Sequence, residues 1–335
     1  MIKELKLNNF GPISDFSCNS LENINLIIGP NQSGKTILLK AIYASLKTVE
    51  QYKRGNEFRS DKEILADKLH WLFQAEQIGN LVTKGRSKLA FELKMAGGKS
   101  FSYSFGPSTT KSIIALQNEI DGKDVNSVFI PAKEVLSIRN IILDSKDRYS
   151  LFGFDDSYVD LAKLLSNPTT KGRNYKAFSD ARDSLKDMVG GRLDYDESRQ
   201  DWVFKDNNRK EFEISLTSEG VKKLSILDIL LGNHYLTNRS VIIIDEIEAN
   251  LHPSMISKFL EIIRILADAG VQFFIASHSY FVIKRLYLMA HQHSMNIPVI
   301  SFGQEGCGVG NLKKAMPKNP IIDESIRLYK EEIML

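Results

Sequence analysis

The apolar positions of this chain fall into two regimes. Over the first part they come in short runs. Ile2, Leu5 and Leu7 precede a turn at Asn9-Phe10-Gly11-Pro12, and Ile24, Leu26, Ile27 and Ile28 form a compact buried run, so both stretches are predicted as strands. From Thr36 to Leu46 the apolar residues Ile37, Leu38, Leu39, Ala41 and Ile42 are too dense for a surface helix and predict a buried one. Helical spacing recurs from Asp61 to Val82, a hairpin is predicted over Lys88 to Phe105 with its turn at Gly97-Gly98, and a short strand over Ser127 to Ile130 is stopped by Pro131. From Ala132 to Gly190 the chain is polar and mixed in charge. It reads as a helical insertion with a loop around Asn167 to Gly172. Strand signals return at Arg192 to Tyr195, Trp202 to Lys205 and Phe212 to Leu216.

The second regime is more regular. A helix from Ser218 to Leu231, a very apolar strand from Val241 to Ile244 and a helix from Pro253 to Ala267 follow one another. Next come a strand from Val271 to Ala276, a helix to Met289, a strand from Pro298 to Phe302 and an amphipathic helix from Ile321 to Ile333. Strands alternating with helices imply an α/β fold with a mainly parallel, doubly wound sheet.

Composition adds few constraints. At 335 residues, 43% apolar and 25% charged, the chain has ordinary globular usage and length enough for a sizeable core. The net charge of +3 permits contact with a polyanion without arguing for it. Two cysteines, Cys18 and Cys307, are too few for a disulfide framework or a zinc site, which favours a reducing compartment. The N-terminus lacks a signal-peptide core, and no apolar run approaches the roughly 18 residues of a membrane span. The expectation is a cytoplasmic protein that does not engage a membrane.

The chemistry begins at Gly29-Pro30-Asn31-Gln32-Ser33-Gly34-Lys35-Thr36, which fits the phosphate-loop pattern of two glycines, a lysine and a hydroxyl. Glycines let the backbone wrap a phosphate, with N–H groups converging at a helix N-terminus. Lys35 is placed to reach the β- and γ-phosphates of ATP, and the Thr36 hydroxyl to ligate Mg²⁺. Chance produces such a match in roughly 1% of chains this long, and an apolar strand before it with a buried helix after it makes coincidence rarer still. A second apolar strand, Val241 to Ile244, ends in Asp245-Glu246. Taken alone, such an ending commonly marks a turn. Joined to a phosphate loop, Asp245 becomes the Mg²⁺ carboxylate and Glu246 the group that orients or deprotonates the attacking water. The strand at Phe273 to Ala276 ends at Ser277-His278-Ser279, which aims His278 at the crevice where ligands of open α/β sheets bind.

With these residues in view, the chain resembles the ABC-type P-loop ATPases of the RecF, SMC and OLD kind, and most closely their stand-alone ATP-binding members without a Toprim nuclease. The resemblance rests on Leu7-Asn-Asn-Phe10-Gly11-Pro, Phe129-Ile-Pro-Ala-Lys-Glu134, Leu216-Thr-Ser218-Glu-Gly220-Val-Lys-Lys223, Asp245-Glu-Ile-Glu-Ala-Asn-Leu-His252-Pro253 and Ala276-Ser-His278-Ser. It implies a P-loop NTPase fold, an ABC-ATPase head with a mixed sheet and a helical insertion. Residues 1–131 would form the N-terminal part of the ATPase, 132–190 the insertion, and 191–335 the C-terminal part. By resemblance, Ser218, Glu219 and Gly220 correspond to the signature motif, which serves the nucleotide of a second protomer. Glu248 to Leu251 correspond to the D-loop, and His278 to the switch histidine. The sequence departs from the pattern in having Glu219 where transporters have glycine, and Ile247 where proline usually follows the acidic pair. The glutamine that reaches Mg²⁺ in many relatives has no marked counterpart, with Gln117 in the broad region.

OLD-type relatives often carry a Toprim nuclease built on clustered carboxylates, whereas beyond His278 this chain has the single aspartate Asp323. Asp155-Asp156 in the insertion read as helix-surface acids. The leading expectation is therefore an ATP-dependent homodimer that controls a separate effector, a nuclease or toxin, in an anti-phage defence or mobile-element system. The alternative is a RecF-type repair ATPase that binds nucleic acid directly. A transporter subunit ranks lower, because far more chain separates Thr36 from Asp245 than those compact subunits hold.

Overall fold

The computed structural model describes residues 1–170, 172, 174–199, 201–303 and 306–335. Lys171, inside the loop predicted at Asn167 to Gly172, lies outside them. The chain opens with β1 (Ile2–Phe10), β2 (Ile13–Cys18) and β3 (Ile24–Ile28), followed by α1 (Lys35–Gln51) and α2 (Asp61–Phe73). Four strands come next: β4 (Leu89–Met95), β5 (Ser100–Phe105), β6 (Ala115–Asn118) and β7 (Asn126–Ile130). The predicted insertion supplies α3 (Arg139–Asp147), α4 (Asp156–Leu165) and α5 (Lys176–Val189), and then come β8 (Gly191–Asp196), β9 (Asp201–Asp206) and β10 (Glu211–Glu213). The last part alternates α6 (Glu219–Gly232), β11 (Ser240–Ile244), α7 (Pro253–Asp268), β12 (Gln272–Ser277) and α8 (Tyr280–Gln292). It closes with β13 (Pro298–Gly303), β14 (Gly306–Asn311) and α9 (Pro320–Ile333).

The central sheet has the order β14-β13-β3-β12-β11-β7. Its strands run parallel except β14, which returns antiparallel along β13. Every residue of β3 and of β11 is buried, as parallel strands covered on both faces require. Alternate side chains serve two cores. Leu26, Ile28, Ile242 and Ile244 join the face covered by α4 to α8, while Ile27, Val241 and Ile243 join the face covered by α1.

Beside this mainly parallel sheet the described residues form two more. An antiparallel sheet, β2-β1-β4-β5-β6, is built entirely from the N-terminal third, and a small sheet is ordered β10-β9-β8. In β1 a register shift between Ile2 and Glu4 lets both Ile2 and Leu5 face the core despite their odd spacing. The buried Gln272 amide of β12 accepts from the Ile2 N–H and donates to the Ile2 carbonyl, both at 2.8 Å, and so ties the N-terminal sheet to the central one.

The polar 132–190 segment holds α3, α4 and α5 and is not set apart. Val159, Leu161, Ala162 and Leu165 of α4, and Phe178, Ala181 and Leu185 of α5, lie in the same core as the central strands. The surface reading of its acids also needs correcting. Asp156 is fully buried and Asp155 nearly so, because both meet lysines. The meeting surface is one face of α1. Thr36, Lys40, Tyr43 and Lys47 recur at helical spacing and each reaches a carboxylate: Asp245 (2.9 Å), Asp155 (2.8 Å), Asp160 (3.1 Å) and Glu50 (2.9 Å). Lys68 of α2 closes the set by donating to Asp156 and Asp160, both at 2.9 Å. Burial opposes the charge on Lys47, but Glu50, Tyr235 and Asp160 outweigh it and raise its pKa. Pairing of this kind is what permits lysines inside a core.

Candidate functional site

Residue pairing across the central sheet aligns its carboxyl edge. Ile28, the last residue of β3, lies between Ser277 of β12 and Ser301 of β13, and Ile244 of β11 lies between Ile275 and Ile130. The segments that follow β3, β11 and β12 therefore leave the sheet on one side. They carry Gly29 to Thr36, Asp245-Glu246 and His278 respectively.

The loop after β3 turns sharply into α1. Gly29 packs so closely that a Cβ there would lie 2.8 Å from the Phe302 Cβ and 2.9 Å from its carbonyl oxygen. Gly34 is the N-cap of α1 in the left-handed region (φ 107°), and Gln32 is also left-handed (φ 62°). The loop's N–H groups thus gather at the positive end of a 17-residue helix. Lys35 is buried, and its ammonium donates to the carbonyls of Gly29 and Pro30, each at 2.8 Å. Burial lowers its pKa, while Asp245, Glu246 and Glu248 pull the other way. The Gly29→Ala protein is expected to lose about 1–3 kcal/mol of stability to overpacking and to bind ATP at least tenfold more weakly. Urea unfolding and a fluorescent-nucleotide titration measure the two effects, and unchanged values in both would mean that the loop is looser than this packing implies.

The acidic corner faces the loop. The Thr36 hydroxyl donates to Asp245 at 2.9 Å, and burial raises the Asp245 pKa. Glu246 adopts a left-handed backbone (φ 48°) unusual for a residue with a side chain. Its side chain is partly exposed, and the carboxylate lies 3.9 Å from the His278 Nδ1. His278 is steered by Glu248, whose Oε1 accepts the His278 backbone N–H at 2.8 Å and lies 3.3 Å from its Nδ1. The structure thus brings together, within one chain, the phosphate loop, Asp245, Glu246 and His278.

It does not bring the signature residues into that group. Ser218 caps α6, its hydroxyl accepting the Val221 N–H at 3.4 Å, and Glu219 pairs with Lys222 at 3.1 Å. Gly220 lies against Asn250, whose carbonyl oxygen would be 2.7 Å from a Cβ at that position. Among the described residues no hydrogen bond or ion pair joins 218–220 to 29–36. Gln117 is elsewhere. It is on the exposed edge strand β6, paired with Ser102 and sharing a surface cleft with Lys6, Asn8 and Lys88. One participant escaped sequence reasoning: Lys223 of α6, whose ammonium donates to the Glu246 carbonyl at 2.6 Å. Its only sequence signal was its position just past the signature.

The donor set suits a nucleotide with its magnesium ion. Ser33 carries a buried hydroxyl with no protein partner inside the loop, Gly29 leaves room where a side chain would fill it, and Thr36 with Asp245 offers the hard oxygens that Mg²⁺ takes. A glycine-rich loop feeding a helix and an acid at the end of a nearby parallel strand go with a P-loop NTPase fold, that of the ABC-type ATPase heads. The chain belongs to the family described as "AAA domain, putative AbiEii toxin, Type IV TA system", whose model matches residues 24–284.

Among curated proteins, the DNA replication and repair protein RecF of Lactococcus lactis subsp. cremoris, strains MG1363 and SK11, is 27% identical over 95 residues, 28% of this chain. That match spans 24%, about a quarter, of the length of those relatives. Among solved structures, an SMC head bound to the C-terminal winged-helix domain of ScpA is similar over 92% of this chain and 97% of its own, with a TM-score of 0.55 at 15% identity. An SMC head with an extended coiled coil, bound to the C-terminal domain of ScpA derived from Pyrococcus furiosus, matches over 97% and 99%, with a TM-score of 0.52 at 15% identity. These likenesses concern the fold. No helix among the described residues is long and apolar enough to cross a membrane.

Proposed function

We propose that this chain binds ATP with Mg²⁺ and hydrolyses it as a nucleotide-gated homodimer that controls a separate effector. The observation that carries the reading is the convergence of Lys35, Thr36, Asp245, Glu246 and His278 at one edge of the central sheet. The loop from Gly29 to Thr36 holds the phosphates through its N–H groups and Lys35, and Glu246 orients and deprotonates the attacking water while His278 hydrogen-bonds the γ-phosphate. Thr36 and Asp245 would hold the magnesium ion, which when bound neutralises phosphate charge.

The signature residues Ser218, Glu219 and Gly220 sit apart from the loop of their own chain, which suits service to the nucleotide of a second copy. The helix N-terminus at Ser218 supplies free N–H groups for a γ-phosphate. In this reading 1–131 and 191–335 form the two parts of the ATPase, and 132–190 is the helical insertion that meets the effector, a nuclease or toxin. The toxin–antitoxin wording of the family description favours a role in defence or in a mobile element. The partial likeness to RecF keeps a second reading, an ATPase that binds DNA directly.

Static light scattering with and without ATP and Mg²⁺ tests the proposal. The expected result is a doubling of mass with ATP and a return to monomer as ADP forms; a mass indifferent to nucleotide would sink the gating. Anisotropy of labelled duplex and gapped DNA across a salt series separates the readings. Binding that falls steeply with salt supports the RecF-like one, and no binding supports the effector.

A further inference from the structure

The peptide between Glu246 and Ile247 is held from two directions. Its carbonyl accepts the Ala249 N–H at 2.9 Å and the Lys223 ammonium at 2.6 Å, and its N–H, that of Ile247, donates to the Ala276 carbonyl at 3.3 Å. The first bond is local to the turn, and the third comes from the end of β12, two residues before His278. The second comes from α6, the helix that begins at the signature. Both lone pairs of one carbonyl are thus used, on a residue held left-handed at φ 48°.

Lys223 has no other evident purpose. It is 7% exposed, and among the described residues it makes no ion pair within 4 Å and has the Glu246 carbonyl as its hydrogen-bond acceptor. Burial depresses its pKa to about 8 even though Glu248, Glu246 and Asp245 all attract its charge. A buried ammonium with a single carbonyl partner is costly to the fold, and methionine would fill the same space without that cost. Nearby, Gly220 in the first turn of α6 packs on the Asn250 carbonyl, so the helix touches the segment after Glu246 at two points.

We infer that Lys223 is a positioning residue for hydrolysis: its bond to the Glu246 carbonyl fixes the peptide that aims the Glu246 carboxylate and makes that aim depend on where the signature helix lies. The inference rests on the reading of Glu246 as the group that activates water. It adds a physical route by which contact at Ser218 and Gly220 in one protomer is felt at that protomer's own acidic corner. A shift of α6 moves the ammonium, and the strained peptide at Glu246 loses one of its restraints.

The test compares wild type, Lys223→Met, Glu246→Gln and the double variant in steady-state ATP turnover, with nucleotide affinity measured separately by a fluorescent ATP analogue. Lys223→Met is expected to lower kcat about 10- to 100-fold, the scale set by small misplacement of a reacting group, with KM and nucleotide affinity within threefold of wild type. The double variant is expected to be no slower than Glu246→Gln alone, because the lysine acts through the glutamate. A kcat within twofold of wild type in Lys223→Met, or losses that multiply in the double variant, overturns the inference. If Glu246→Gln itself turns over normally, the underlying reading of Glu246 fails, and this inference with it. Should Lys223→Met not fold, Lys223→Leu, which likewise removes the donor, is put through the same comparison under the same criteria.

Discussion

The Glu246→Gln protein is expected to bind ATP with affinity within a few-fold of wild type and to turn it over about 100- to 10,000-fold more slowly, the usual worth of a general base. Glutamine keeps the size of the side chain and its hydrogen-bonding reach but cannot take a proton. The substitution should not disturb the fold, because the Glu246 side chain is partly exposed and its carboxylate stands 3.9 Å from the His278 Nδ1. The contacts that hold the segment are made by the backbone, at the Lys223 ammonium and the Ala249 and Ala276 peptides, and glutamine preserves them. With hydrolysis blocked, the ATP-bound form should accumulate, and an ATP-dependent dimer should persist on a sizing column for hours. Turnover near the wild-type rate would move the base to another residue.

Lys35→Ala is expected to weaken ATP binding by about 100-fold or more, since charge-assisted hydrogen bonds to phosphate each contribute about 1.5–3 kcal/mol. The fold should survive. Among the described residues the Lys35 ammonium bonds the carbonyls of Gly29 and Pro30, and Pro30 is exposed, so water can serve that carbonyl in its place. Burial outweighs the attraction of Asp245, Glu246 and Glu248 for the Lys35 charge, so the melting temperature should not fall for want of the cation. Circular dichroism melts alongside nucleotide titration separate the two effects. Affinity within threefold of wild type would dismiss the phosphate-loop assignment.

How far the sequence could be read depended on whether a residue's environment is local. The strand, loop and helix from Ile24 to Leu46 were plain, because a run of apolar residues, two glycines and a dense apolar helix follow one another without interruption. The strands after them, from Val241 and from Val271, were plain for the same reason. β14 was missed because Gly306-Cys-Gly-Val-Gly-Asn311 has almost no side-chain periodicity, and its pairing with β13 is made by backbone. The helix predicted to Val82 ends at Phe73, where Gln74 turns left-handed (φ 49°) and a short 3-10 turn at Ile78–Leu81 follows. The strand expected over Phe212 to Leu216 stops at Glu213, because Ile214 turns into the core ahead of α6.

At the site, the groups on consecutive residues were legible and the cross-chain ones were not. The Gly29–Thr36 loop and Asp245-Glu246 carry their own pattern. The burial of Lys68, Asp155 and Asp156 does not, because each is acceptable inside only through a partner far along the chain. Lys223 is harder still, since its partner is a backbone carbonyl that every residue possesses.

The position of β3 also governs when this protein can take shape during synthesis. Its hydrogen-bonding neighbours are β12 and β13, which begin at Gln272 and Pro298, whereas the five strands of the N-terminal sheet are all present by Asn118. At about 5–20 residues per second, a ribosome leaves Ile24–Ile28 without neighbours for roughly 15–50 s, while the sheet on either side of it in sequence has already had time to pair. This fully buried strand, and the loop it leads into, must therefore wait as unpaired chain of the kind that chaperones hold. The loop that begins at Gly29 therefore meets its packing partner only once Phe302 of β13 has been made.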